Sequence, residues 1–141
     1  MPEYALRCPR HATSPRVARE FVASVLRAQQ LGAFLDDAAL CISELVTNAC
    51  VHAGGTDAAL RLVTADTGVR ITVYDEDTTL PVLRNGYDCE SGRGLWILDA
   101  VTEGRWGTEP GARFGLTGTG TGGGSGKAVW FELGSPSVLP S

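Results

Sequence analysis

The apolar residues divide the chain into two helical stretches followed by strand-like stretches. In "SPRVAREFVASVLRAQQLG" (14–32), Val17, Phe21 and Val25, with Val22 and Leu26 beside them, recur at helical spacing. Ser14 is the expected N-cap, Pro15 takes the first helical position, and Gly32 stands past the end. "DDAALCISELVTNACVHAGG" (36–55) predicts a second helix, opened by Asp36 or Asp37 and stopped by Gly54-Gly55. Its apolar stripe is Ala39, Ile42, Val46, Ala49 and Ala53.

From there the period changes to two. "DAALRLVT" (57–64) and "GVRITVYD" (68–75) predict two strands joined by a turn around Asp66-Thr67-Gly68. An irregular stretch with Pro81 and Asn85-Gly86 runs from Asp75 to about Gly92. "GLWILDAV" (94–101) predicts a short helix, while "EGRWGTE" (103–109) and "KAVWFEL" (127–133) predict two further strands. Helices first and a hairpin later point to a two-layer α/β sandwich of the α+β kind, not a βαβ array. A single domain is expected over 14–133, with an N-terminal segment at 1–13 and a tail at 134–141.

Composition narrows the function classes. The 141 residues are 43% hydrophobic and 20% charged, ordinary for a soluble globular domain. No apolar run reaches the ~20 residues of a membrane span, and "MPEYALRCPRH" has no signal-peptide core, so the cytoplasm is expected. Cys8, Cys41, Cys50 and Cys89 are scattered without a metal-ligand spacing, which predicts reduced thiols. A net charge of −4 argues against direct nucleic-acid binding. Arginines 7, 10, 16, 19 and 27 nevertheless crowd the N-terminal part, a solvated basic face or one suited to an acidic protein partner.

The glycine run from Gly115 to Gly126 invites a phosphate-loop reading, because Gly126-Lys127 resembles the end of such a loop. A P-loop needs glycine where Thr121 stands and a hydroxyl where Ala128 stands. The run also leads into a strand, with no helix N-terminus to receive phosphate. It is read as a strand connection.

Three other features can carry chemistry. Glu44, Asn48 and His52 recur every four residues along one side of the second helix. A carboxamide there can ligate Mg²⁺ while a carboxylate one turn away orients or deprotonates a hydroxyl. By itself such a row is equally an amphipathic helix's polar face. His52 as the base of a metabolic enzyme lacks a nucleophile at a recognisable spacing. Asp75 ends the row Val69, Ile71, Val73 and so puts a carboxylate at the end of an apolar strand face, able to accept from an exocyclic amine. In Ser91-Gly92-Arg93-Gly94, glycines and a guanidinium enter an apolar helix, the makings of an anion site.

In this order, "SELVTNACVHA", Asp75, "SGRGLWILDAV" and the final strand "GKAVWFEL" resemble the GHKL ATPase superfamily. The resemblance is closest to its small stand-alone anti-sigma-factor serine kinases. It spans about Ser14 to Leu133. It implies a Bergerat-type fold, a mixed, mainly antiparallel sheet covered by helices on one face, with ATP and Mg²⁺ as cofactors. Glu44 would be the catalytic base and Asn48 the Mg²⁺ ligand. Asp75 would hold the adenine amine, Gly92, Arg93 and Gly94 the phosphates, and 76–91 would form the ATP lid. The implied activity is phosphorylation of a serine on an anti-sigma-factor antagonist, with a sigma factor as a further partner and homodimerisation common among relatives. Two positions depart from the pattern: Asp75-Glu76-Asp77-Thr78-Thr79 has no glycine, and Ala128 replaces a threonine that helps hold adenine. They leave open a catalytically degenerate module that senses nucleotide or binds a partner.

Overall fold

The computed structural model describes residues 2–50, 56–76, 90–111 and 126–135, the side chains of 90–94 excepted. The described elements are β1 (Glu3–Cys8), α1 (Ser14–Ala28), a 3₁₀ turn (Gly32–Phe34), α2 (Leu35–Cys50), β2 (Ala58–Ala65), β3 (Gly68–Asp75), α3 (Glu90–Thr102), β4 (Trp106–Pro110) and β5 (Lys127–Gly134). The strands form one open sheet in the order β1-β2-β3-β5-β4. Every described pairing is antiparallel.

Strand alternation gives the sheet two unlike faces. The inner face carries Leu60 and Leu62, Val69, Ile71 and Val73, and Val129, Phe131 and Leu133. These join Val22 and Leu26 of α1, Ile42 and Val46 of α2, and Leu95 and Leu98 of α3 in one core. The other face is polar and aromatic. There the Arg70 guanidinium lies 4.2 Å from the Trp130 ring centroid and that of Arg61 5.9 Å from the Tyr74 ring. The fold is thus α+β, an open antiparallel sheet covered by helices on one face.

Strand β1 lies in the stretch that periodicity left unassigned. Its alternation is short, with Tyr4, Leu6 and Cys8 turned inward, and only the β2 register (Leu6 opposite Leu60, Cys8 opposite Ala58) identifies it.

Helix α1 begins at Ser14, so Thr13 and not Ser14 is the N-cap. The Ser14 hydroxyl instead donates to the Pro9 carbonyl at 2.6 Å and ties the helix to the preceding turn. The buried stripe is Ala18, Val22, Val25 and Leu26; Val17 is 47% exposed and Phe21 half-buried. The buried arc is turned toward small Ala18, which lets the neighbouring helix approach. In α2 the buried arc is wider than expected, taking in Ala38, Cys41, Leu45 and Cys50 besides Ile42, Val46 and Ala49, while Ala39 is half-buried. The width follows from packing on the sheet and on both α1 and α3. Asp36 and Asp37 lie in its first turn, where the helix dipole favours carboxylates. Ala53 and the Gly54-Gly55 stop lie outside the described residues.

Helix α3 starts at Glu90, ahead of the expected Gly94. It ends where Glu103 (φ 56°) and Gly104 (φ 82°) turn left-handed, the Gly104 N–H donating to the Asp99 carbonyl at 3.0 Å. That closure delays β4 to Trp106, past the predicted start at Glu103.

Candidate functional site

The candidate residues gather where the C-terminal part of α2 meets one end of the sheet. On α2, Ser43 marks the side toward α1, since its hydroxyl accepts from Arg19 at 3.1 Å and donates to the Ala39 carbonyl at 2.8 Å. At about 100° per residue, Asn48 and, further round, Glu44 fall on the opposite flank of the buried arc. Helix α3 also packs against α2. Both side chains are half-buried. Glu44 and Asp37 add to burial in pushing the Cys41 thiol up to about 12, burial being the larger cause. His52, third in the sequence row, lies outside the described residues.

One row of opposed residues crosses the sheet at this end: Cys8, Ala58, Asp75, Lys127 and Pro110. The rows beyond it on the inner face are apolar, so Asp75 and Lys127 form the polar end of the core face. The Lys127 ammonium donates to Asp75 Oδ1 at 3.0 Å, with the two side chains only 10% and 9% exposed. Cys50 of α2 stands close by. Burial first, and then Cys8, Asp57 and Asp75, push its thiol up to about 11, against a lowering contact from the Ala58 backbone. Thr56 ties the corner together. Its N–H donates to the Ala49 carbonyl at 2.7 Å and its hydroxyl accepts from the Glu76 N–H at 3.1 Å. The N–H of Arg10 donates to Asp57 Oδ1 at 2.7 Å.

The α3 glycines occupy unequal positions. Gly92 falls in the first turn, where backbone N–H groups have no intrahelical acceptor, whereas Gly94 lies one turn in. The expected lid is outside the described residues from 77 to 89, as is the glycine run from 112 to 125. Glu44 and Asn48 therefore share one helix flank and Asp75 sits at the sheet end beneath the same helix. Gly92, Arg93 and Gly94 open the helix packed against it.

Lys127 is the residue that the sequence alone did not single out. Alternation back from Leu133, Phe131 and Val129 puts it on the same face as Asp75. The same alternation puts Ala128, opposite Tyr74, on the other face. The expected threonine position thus does not face Asp75; its neighbour does.

An open antiparallel sheet under three helices, with a carboxylate at the polar end of the core face, is an α+β two-layer sandwich. The histidine kinase-like ATPase domain matches residues 8–104, and the chain belongs to that family. It is therefore a domain of an ATP-binding, kinase-like family. Among solved structures, the RsbU and RsbW domains of Rv1364c from Mycobacterium tuberculosis match with a TM-score of 0.62 at 18% identity. That alignment covers 94% of this chain and 31% of the other, so the chain spans about a third of the length of that neighbour. No curated protein matches the chain. No described helix is long and apolar enough to cross a membrane.

Proposed function

We propose that the chain is an ATP- and Mg²⁺-dependent protein serine kinase of anti-sigma-factor type, acting on an anti-sigma-factor antagonist and through it on transcription. The observation that carries this reading is the shared flank of α2, which turns Glu44 and Asn48 away from α1 while the same helix ends over Asp75. The neighbour described as carrying an RsbW domain agrees in fold with this assignment.

Phosphoryl transfer asks the protein mainly for positioning and charge neutralisation. Glu44 accepts the proton of the substrate serine hydroxyl. The Asn48 carboxamide oxygen would hold Mg²⁺, which when bound would neutralise triphosphate charge. No group of three or more metal-binding side chains occurs among the described residues. One carboxamide suits Mg²⁺, which takes most ligands from water and phosphate. Asp75 accepts from the adenine amine, and the N–H of Gly92, with Arg93 and Gly94, meets the phosphates. Partners are proteins, with a sigma factor and a second copy as further candidates, in a cytoplasmic setting.

Asn48→Ala should lower Mg²⁺-dependent phosphate transfer to the antagonist on the order of 100-fold or more, with unchanged circular dichroism. Equal incorporation of labelled phosphate by the variant would remove Asn48 from the site.

A second reading, a nucleotide-sensing or partner-binding module without transferase activity, is favoured by the glycine-free Asp75-Glu76-Asp77-Thr78-Thr79 and by Ala128 in place of a threonine. Calorimetric titration with ATP and a non-hydrolysable analogue separates the two. Tight binding without turnover supports the sensor.

A further inference from the structure

An ion pair this buried is seldom explained by stability, because removing two charges from water offsets most of their attraction. Here the pair stands at the polar end of the core face, on opposed residues of the two central strands β3 and β5. One partner is the carboxylate that the proposed function assigns to the base. We propose that Lys127 is a positioning and specificity-determining residue of the base subsite: its ammonium holds the Asp75 carboxylate charged and aimed, so that the amine of adenine meets an ionised acceptor. The inference rests on the nucleotide reading above and adds a residue to it.

Lys127 is the cation that the described residues set directly on Asp75. Cys50 of α2 shares this corner with Asp75, Asp57 ahead of β2 and Cys8 of β1, Arg10 stands beside Asp57, and Glu76 follows Asp75 in the chain. On β4 the residue opposite Lys127 is Pro110, which brings no charge. The neighbouring carboxylates oppose ionisation of Asp75, the thiols stay neutral, and the Lys127 ammonium, bonded to Oδ1, favours it. An ionised carboxylate accepts a markedly stronger hydrogen bond than a neutral carboxyl. Without the cation, the buried carboxyl takes up a proton at higher pH and loses that strength.

The experiment compares ATP with purine riboside triphosphate, which lacks the amine, by calorimetry from about pH 9 to about pH 6. Wild type should bind ATP with a level profile and prefer it over the analogue. Lys127→Met, close in volume, should lose ATP affinity roughly tenfold as pH falls across that range, with the preference shrinking in step. Lys127→Arg should restore the level profile. Carboxyl-carbon NMR of Asp75 should show titration moved upward in Lys127→Met whether or not nucleotide is present. If the methionine variant does not fold, Lys127→Gln gives the same comparison. A Lys127→Met profile parallel to wild type, with unchanged preference, overturns the role of Lys127 and leaves the nucleotide reading standing. Wild type that binds no ATP, or Asp75→Asn with unchanged affinity, overturns the base-site reading and the proposal with it.

Discussion

At the scale of single residues, burial decides which side chains are chemically available. Cys8, Cys41 and Cys50 are buried and free, so low-dielectric surroundings keep their protons on. For Cys41 and Cys50 the folded values of about 12 and about 11 lie above the ordinary 9.0. The unfolded chain therefore releases these protons first. Their contribution to stability is complete below about pH 9 and declines as pH rises toward 11 and 12. The urea midpoint should accordingly fall between about pH 8.5 and about pH 10.5, and less so in Cys41→Ala. Native alkylation by iodoacetamide at pH 8.5 should be slow at all three positions and fast once urea is added; mass mapping reads it. Rapid native labelling of Cys50 would mean the corner near Asp75 is open to solvent.

Elements show where periodicity is informative and where it stops. Helical spacing identified α1, yet Val17 and Ala18 lie on neighbouring angles and only packing chose between them. Val17, 47% exposed, should accept Lys with a stability change within about 0.5 kcal/mol. Val22, 1% exposed in the core, should lose roughly 2 kcal/mol or more on replacement by Ala. Chemical denaturation of both variants tests the rotation of the stripe, and the opposite ranking would restore the Val17-centred one. The strand β3 was legible to the residue, because its alternation is unbroken from Val69 to Asp75 and turn residues precede it. Strand β1 was not, since three inward residues are too few to separate a strand from chance.

For the whole molecule, the question is whether the glycine run matters. Strands β4 and β5 are neighbours, Pro110 opposite Lys127, and the Gly111 N–H donates to the Gly126 carbonyl at 2.7 Å. The two ends of the 112–125 segment are thus already joined, in the geometry of a hairpin closed by a two-residue turn. Replacing 112–125 with Asn-Gly should preserve the fold and shift stability by only about 1–2 kcal/mol through loop-closure entropy. ATP affinity should be nearly unchanged, as calorimetry would show. Loss of ATP binding on this deletion, with Gly92→Val still binding, would move the nucleotide site to the glycine run.

Much of this protein was determined by local sequence. Period 3.6 and then period 2 specify two helices and a hairpin, and Glu44 with Asn48 one turn apart needs only helix geometry. The carboxylate ending Val69-Ile71-Val73-Asp75 needs only strand alternation. Tertiary structure decided what depends on residues far apart in the chain. The pairing of β3 with β5 set Lys127, 52 positions from Asp75, against its carboxylate, and put Ala128 on the other face. The contact of Arg19 on α1 with Ser43 assigned the flanks of α2. Register and helix contacts are cooperative properties of the assembled core: each is fixed by which apolar faces meet, and a one-residue slip in β5 would exchange Lys127 for Ala128 opposite the same carboxylate.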